Sequence, residues 1–131
     1  MDRQNTRRQG LLGWQWSIYP DGHRDRRNLA LHAATVPLFL AGTAAVAASP
    51  IAGVGFAVAG AAAMLASVAA QGRGHKREKT PPAPFRGPGD FLARIFVEQW
   101  VTFPRFALSG RFAEAWRRAG RDGATGHPRT D

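Results

Sequence analysis

Three histidines and one glutamate are the residues of this sequence that could do chemistry together: His23, His32, His75 and Glu78. Imidazole and carboxylate suit non-haem iron, zinc and manganese, and two histidines with one carboxylate form the facial arrangement of oxygen-using iron sites. The four residues are distant in sequence, so they form a site only if the fold brings them together. Their spacing also leaves open that they are ordinary polar side chains at a membrane surface.

A long uncharged segment provides the means of bringing them together. Residues 29–72 include no Asp, Glu, Lys or Arg in 44 consecutive positions, and Ser49-Pro50 divides them into apolar stretches at 29–48 and 51–70. A helix of about 20 residues is ~30 Å long and matches the hydrocarbon core of a bilayer. Lipid offers no partners for backbone polar groups, so each stretch should be helical. We therefore predict an all-α integral membrane protein built on a two-helix transmembrane hairpin, whose polar ends lie side by side.

The charge distribution predicts the orientation of this hairpin. The chain has 131 residues and a net charge of +9; residues 1–28 contribute +3 (six Arg, three Asp) and residues 73–131 contribute +6 (twelve Lys or Arg, six acids). The positive-inside tendency places both termini on the cytoplasmic side of an inner membrane. Basic residues beside a span contact anionic lipid, so we expect the lipid bilayer as a partner and no nucleic acid. The absence of cysteine excludes disulfides and thiolate ligands.

The first apolar stretch admits a second interpretation. Arg26-Arg27 followed by an apolar run that ends in Ala45-Val46-Ala47 is similar to a twin-arginine export signal with its cleavage site. A second apolar stretch begins almost at once, and cleavage would leave it as a lone anchor. The hairpin is therefore the preferred interpretation.

The N-terminal half is predicted to comprise two regions. Residues 1–13 are polar and Arg-rich, which predicts disorder, and residues 14–83 form the hairpin domain. Its first aromatic residues, such as Trp14 and Tyr19, are typical of an interfacial anchor. Pro20-Asp21-Gly22 predicts a turn that places His23 in a loop, and Asn28 is the predicted N-cap of the first span.

The C-terminal half is predicted to form interfacial helices in residues 84–120 and a disordered tail in residues 121–131, where His127 should be inert. The apolar run 91–103, capped by Asp90 and ended by Pro104, is too short to span and should lie in the membrane interface or cover the hairpin. A second amphipathic helix is predicted for residues 110–119, with Gly120 as its cap.

Two motifs in the hairpin domain resemble a known family. They are Tyr19-x3-His23-x4-Asn28-x3-His32-x4-Pro37 and, after the apolar region, Gln71-x2-Gly74-His75 with Glu78 and Pro82-Ala83. This pattern, which covers residues 19–83, resembles the small membrane-embedded 2-hydroxy fatty acid dioxygenases. The resemblance implies an Fe(II) cofactor and a reaction in which O2 shortens a fatty-acyl substrate, the 2-hydroxy acid, by one carbon.

The resemblance also implies roles for individual residues. His23, His32 and His75 would be the iron ligands. Tyr19, Asn28, Gln71 and Glu78 would be the remaining catalytic residues, as a further ligand or as groups that orient the imidazoles. The chain departs from the family in its shorter apolar region and in Glu78, which follows His75 by three positions instead of four. The helix at 91–103 is a candidate for the missing wall of the acyl pocket.

A non-enzymatic function is the alternative. Glycines and alanines in the apolar stretches suit close helix packing, so the hairpin could form a homo-oligomer or remodel membranes without catalysing a reaction. Such a protein should tolerate His32→Ala and His75→Ala, whereas an iron enzyme should lose its metal with either variant.

Overall fold

The protein is all-helical in the computed structural model, which describes residues 10–124. The first nine residues and the tail from residue 125, including His127, lie outside the described residues, so their predicted disorder is untested. The elements, in chain order, are α1 (Leu11–Ile18), a 3₁₀ turn (Tyr19–Gly22), α2 (Arg26–Ala52), α3 (Val54–His75), α4 (Pro88–Val97), a π-helix turn (Glu98–Thr102), α5 (Phe103–Leu108) and α6 (Arg111–Ala124).

Helices α2 and α3 form the predicted hairpin, but the turn lies at Gly53 and not at Ser49-Pro50. The helix continues through Pro50 because Ser49 Oγ donates a hydrogen bond of 2.8 Å to the Val46 carbonyl, the acceptor that a proline cannot reach. Gly53 has φ +97°, a conformation that residues with a Cβ rarely adopt. The chain therefore reverses direction at the glycine.

The two arms come closest at Gly42 and Gly60. A Cβ on Gly42 would lie 2.7 Å from the Gly60 carbonyl oxygen, and a Cβ on Gly60 would lie 2.5 Å from the Gly42 carbonyl oxygen. Only glycine permits this backbone approach, as expected of small residues between apolar helices. Both helices are long and apolar enough to cross a membrane.

The hairpin divides into two halves with different surroundings. In the packed half, residues 26–42 and 60–75, side chains such as Leu29, Val36 and Phe39 are buried. Of residues 43–59, the free half, all are described and none is buried. Ile51 is 97% exposed and Val54 79% exposed at its tip. The other elements therefore cover only one half of the hairpin.

The start of α2 differs from the prediction, because Asp25 and not Asn28 is its N-cap. The Asp25 carboxylate accepts hydrogen bonds from the backbone N–H groups of Arg27 (2.8 Å) and Asn28 (3.0 Å). Asn28 lies in the first helical turn with its side chain fully buried. Its amide is thus available for contacts beyond its own helix.

The aromatic segment before the hairpin packs inside the protein. Helix α1 begins at Leu11, within the segment predicted to be disordered. Trp14 is 1% exposed and Tyr19 4% exposed, so these two side chains do not form the predicted interfacial anchor. Tyr19 instead joins the core of Leu29, Val36, Phe103 and Phe106.

The apolar run in the C-terminal half forms one continuous helical segment, from Pro88 through the π-helix turn to Leu108. Pro104 does not end it, because the wider turn before the proline accommodates its ring and its missing N–H. Asp90 is not the N-cap of α4; that position is Gly87, and Asp90 accepts from the Arg86 N–H at 3.0 Å. Helix α6 continues through Gly120, the predicted cap.

Candidate metal centre

Four side chains from four elements converge at the packed end of the hairpin. His23 follows the 3₁₀ turn, His32 lies in α2, His75 ends α3 and Glu98 begins the π-helix turn. One ligand atom from each lies within 4.8 Å of all the others, so the group could hold a metal ion. The structure thus brings together the three predicted histidines and adds a carboxylate that the sequence analysis did not select.

The three imidazole rings surround a common point. Their centroids lie 4.6 Å (His23–His32), 4.9 Å (His32–His75) and 5.1 Å (His23–His75) apart, and each pair meets edge to face. The Nδ1 atoms of His23 and His32 contact the carbonyls of Tyr19 (2.8 Å) and Asn28 (3.0 Å). Because a carbonyl only accepts, both Nδ1 atoms carry the proton and both Nε2 atoms keep a free lone pair.

The nitrogens that face the group are buried without hydrogen-bond partners. Among residues 10–124, His23 Nε2, His32 Nε2 and His75 Nδ1 find none. Glu98 Oε1 lies 3.3 Å from His32 Nε2 and 3.8 Å from His23 Nε2. Buried polar atoms normally have partners, and three orphaned imidazole nitrogens around one carboxylate could serve as the donor set of a cation site.

The electrostatics keep two of the donors in metal-binding protonation states. Burial, with His32 nearby, lowers the pKa of His23 to about 3, so its ring is neutral at pH 7. Burial by itself would raise the pKa of Glu98, but the hydrogen bond from His32 and the positive charge that the imidazoles of His32, His23 and His75 carry when protonated outweigh it, and the pKa lies at about 2. The group therefore presents a neutral imidazole at His23 and an anionic carboxylate at Glu98.

Glu98 is the member of the group that sequence reasoning missed. It lies 23 positions after His75, in a run that the sequence analysis assigned to an interfacial helix. Its carboxylate is only 12% exposed. The sequence feature that could have indicated Glu98 is its position as an acidic residue within the otherwise mostly apolar run 91–103. The π-helix turn is a second indication, since such turns are frequent at functional sites.

Tyr19 supports both Glu98 and His23. Its hydroxyl donates to Glu98 Oε1 at 3.1 Å, and its ring stacks on the His23 imidazole with 3.9 Å between centroids. Burial, and then the Glu98 charge, raise the pKa of Tyr19, so the phenol stays protonated and can donate. Tyr19 therefore orients two members of the group at once.

Glu78, the carboxylate that the sequence suggested, lies outside the four-residue group. Its oxygens accept from the backbone N–H groups of Arg24 (3.0 Å) and Asp25 (3.1 Å) and from Asn28 Nδ2 (2.7 Å). Glu78 therefore links the segment after His23 to the segment that follows α3. Asn28 Nδ2 also donates to the Gly22 carbonyl at 3.2 Å, one residue before His23.

Gly74 makes the approach of Asn28 possible. A Cβ at this position would collide with Asn28 Oδ1 and lie 3.1 Å from Leu31 Cδ1. A glycine next to His75 lets α3 pass directly over the first turn of α2. Gln71, one turn before His75, bonds to Gln99 and Thr35.

A cavity lies beside His23, which is the member of the group that lines it. It has a volume of about 280 Å³ and lies between the 3₁₀ turn, α5 and α6, with His23 and Phe106 in its wall. The Arg111 guanidinium is held over the Trp16 ring, 4.7 Å from its centroid. The charged lining consists of three arginines and two acids: Arg24, Arg111, Arg118, Glu114 and Asp122.

Comparisons with family models, with characterised proteins and with solved structures find no match for this chain. The function must therefore be inferred from the chemistry of the group itself.

Proposed function

We propose that this protein is an Fe(II)-dependent dioxygenase that shortens 2-hydroxy fatty acids by one carbon. The observation that carries the proposal is the convergence of three imidazoles and a carboxylate within 4.8 Å at the charged end of an uncharged hairpin. Two motifs that resemble 2-hydroxy fatty acid dioxygenases contain the three histidines.

The donor set suits a first-row metal ion such as iron. His23, His32, His75 and Glu98 would hold the ion through nitrogen and carboxylate oxygen, the ligands of oxygen-using non-haem iron sites. Bound Fe(II) would supply the electrons that activate O2. Tyr19 holds Glu98 and His23 in place, and Asn28 and Glu78 fix the backbone around His23 and His75.

The cavity beside His23 favours an acidic substrate. Its lining has three arginines and two acids, and Arg118 pairs with Glu114 and Arg24 with the neighbouring Asp21, each at 2.8 Å, so the positive excess that would attract a carboxylate is small. The overall reaction balances with O2 as the oxidant: RCH(OH)COOH and O2 give RCOOH, CO2 and H2O. The acid loses four electrons, and O2 accepts them.

The acyl tail needs an apolar surface, and one lies on the other face of α6. This groove between α2 and α6 has a volume of about 690 Å³. It lies against the uncharged part of α2, so in a membrane it would be continuous with the lipid. Its lining is almost entirely apolar: Ala30, Ala33, Ala34, Phe112, Ala113 and Trp116, with Arg117 as the charged member.

The same proposal includes the membrane location. The apolar hairpin would lie in an inner membrane with both termini cytoplasmic, because the basic residues lie at the end opposite its turn, before residue 29 and after residue 72. This arrangement places the group at the lipid head-group level, where the acid head of a fatty acid also lies. Two helices of sufficient length and hydropathy support it.

The test is the iron content of the full chain, purified in detergent and reconstituted with Fe(II) without oxygen. Wild type should hold close to one iron per chain, and His32→Ala should lose it. His127→Ala, which changes the fourth histidine of the sequence, is the matched control and should keep it. O2 uptake and product analysis with a 2-hydroxy fatty acid then test the reaction.

Two results would contradict parts of the proposal. If wild type binds no more iron than His32→Ala, there is no iron centre, and the non-enzymatic hairpin becomes the better account. If wild type holds iron but consumes no O2 with the acid, the iron centre stands and the dioxygenase activity is wrong.

A further inference from the structure

A reciprocal pair of buried amides lies beside the candidate metal centre. Gln71 Nε2 donates to Gln99 Oε1 at 3.0 Å, and Gln99 Nε2 donates back to Gln71 Oε1 at 2.7 Å. Gln99 is fully buried and Gln71 is 3% exposed. Gln71 Nε2 also donates to Thr35 Oγ1 at 2.9 Å. Buried amides are costly unless they are paired, so this arrangement holds its geometry firmly.

The pair connects the elements that carry the metal-binding side chains. Gln71 lies four residues before His75, on the same face of α3 and one turn away. Gln99 directly follows Glu98 in the π-helix turn. Thr35 lies three residues after His32 in α2. Any slip of the π-helix turn along α3 would separate the two amides and displace Glu98 from the histidines.

We propose that Gln71 and Gln99 are positioning residues, whose reciprocal hydrogen bonds set the register of the π-helix turn against α3 and so place Glu98 opposite His32 and His75. The inference rests on the proposed metal centre. It gives Gln71, which the sequence motif already included, a role through Glu98 and not as a ligand, and it adds Gln99 as its partner. The pair acts through Glu98, so its loss changes the metal's coordination as well as the stability of the fold.

A matched control in α1 bonds to the same helical segment. Gln15 is another buried amide, 6% exposed, which accepts from Thr102 Oγ1 at 3.1 Å and donates to the Arg94 carbonyl at 3.0 Å. These two hydrogen bonds tie α1 to the segment of Glu98, and neither of them involves α3. Its loss should loosen the packing and leave the register of Glu98 against α3 unchanged.

The experiment uses Co(II) as the probe, with the full chain in detergent. The variants are Gln99→Met, Gln71→Met, the double variant Gln71→Met/Gln99→Met, and the control Gln15→Met. Methionine keeps the length of glutamine and adapts to its surroundings. Three quantities are measured for each: the melting temperature without metal, the affinity for Co(II), and the visible spectrum of bound Co(II).

The double variant separates positioning from stability. Each single variant orphans a buried amide and should melt lower, whereas the double variant leaves two apolar groups in contact and should recover most of that loss. We expect the double variant to bind Co(II) about 10-fold or more weakly, with a changed spectrum, as other residues that orient metal ligands do. Gln15→Met should keep the wild-type affinity and spectrum.

Three results would overturn the inference. If the double variant binds Co(II) with wild-type affinity and spectrum, the pair is structural only. If Gln15→Met weakens binding as much as the double variant, general loosening explains the effect. If wild type itself binds no Co(II), the metal centre is wrong and the inference fails with it, a result distinct from the other two.

Discussion

The packed and free halves of the hairpin consist of the same two helices, but only the packed half buries side chains. The packed half buries polar side chains, among them Asn28, His32 and Gln71. In the free half, described in full, no side chain is buried, and the tip exposes Ile51 and Val54. Apart from the arginines at its ends (Arg26, Arg27 and Arg73), the packed half belongs to the same uncharged sequence segment as the free half, so hydropathy alone does not distinguish them.

The difference comes from the elements that pack on one half. The 3₁₀ turn, the π-helix turn and α5 supply Tyr19, Glu98 and Phe103, which surround the histidines. Buried polar groups persist only where partners are available. We therefore expect the proposed function to depend on the packed half, and variants in the two halves should differ in whether they affect metal binding or only stability.

The largest effect on metal binding should come from Glu98→Gln. The variant removes the only negative charge of the four-residue group, and metal affinity should fall roughly 100-fold or more, beyond the effect of losing a residue that merely orients a ligand. Glu114→Gln, an exposed acid paired with Arg118 at 2.8 Å, is the control and should bind normally. Affinities are measured by Co(II) titration. If the two variants bind Co(II) equally well, Glu98 is not a metal ligand.

Glu78→Gln should have a smaller effect on metal affinity, about 10-fold. Its carboxylate accepts from Arg24, Asp25 and Asn28 and so fixes the segment after His23. A glutamine can accept with only one oxygen, so this segment should loosen without losing a ligand. A loss as large as that of Glu98→Gln would mean that Glu78 binds the metal directly.

Gly74→Ala should destabilise the packed half by about 1–3 kcal/mol, the usual range for overpacking. Its Cβ would collide with Asn28 Oδ1. Gly72→Ala is the matched control. A Cβ at position 72 would have no atom within 4 Å among the described residues outside its own helix turn. In chemical denaturation the control should be as stable as wild type or more so, because alanine favours helix.

Gly53→Ala should give the smallest effect, about 1–2 kcal/mol, because alanine must adopt φ +97° at the turn. Gly55→Ala, two residues along in α3, has open space around its Cβ among the described residues and should cost nothing. Metal affinity should be unchanged in both. If Gly53→Ala alters Co(II) binding, the free half is coupled to the site and the comparison between halves is incorrect.

Much of the hairpin was predictable because its cause is local. The lack of charge over residues 29–72 gave two helices and their antiparallel packing, and this packing brings His32 and His75 together. The turn was displaced because one side-chain contact, from Ser49 Oγ to the Val46 carbonyl, compensates for Pro50. Such a contact depends on a rotamer, which residue type does not determine.

Glu98 was not predictable for a different reason. Its place in the group depends on how the C-terminal segment docks against the hairpin, where Gln99 pairs with Gln71 of α3. The 3.6-residue period groups Glu98 and Gln99 with Arg94 and Thr102 on one narrower polar side of the run, but it does not show that this side faces inward, where Arg94, Gln99 and Thr102 are buried. The prediction of Asn28 as the N-cap of α2 was also wrong. Asp25, three residues earlier, is an equally good cap by residue type, and it is the one that the structure uses.

The distribution of ligands along the chain determines the order in which a cell can build the centre. His23, His32 and His75 leave the ribosome first, and the two apolar helices can insert while synthesis continues. Glu98 follows 23 residues after His75, which takes roughly 1–5 s at usual rates of elongation. In the proposed membrane metalloprotein the three histidines would therefore be synthesised before their carboxylate, and metal capture would be a late event, completed when the C-terminal segment docks against the hairpin.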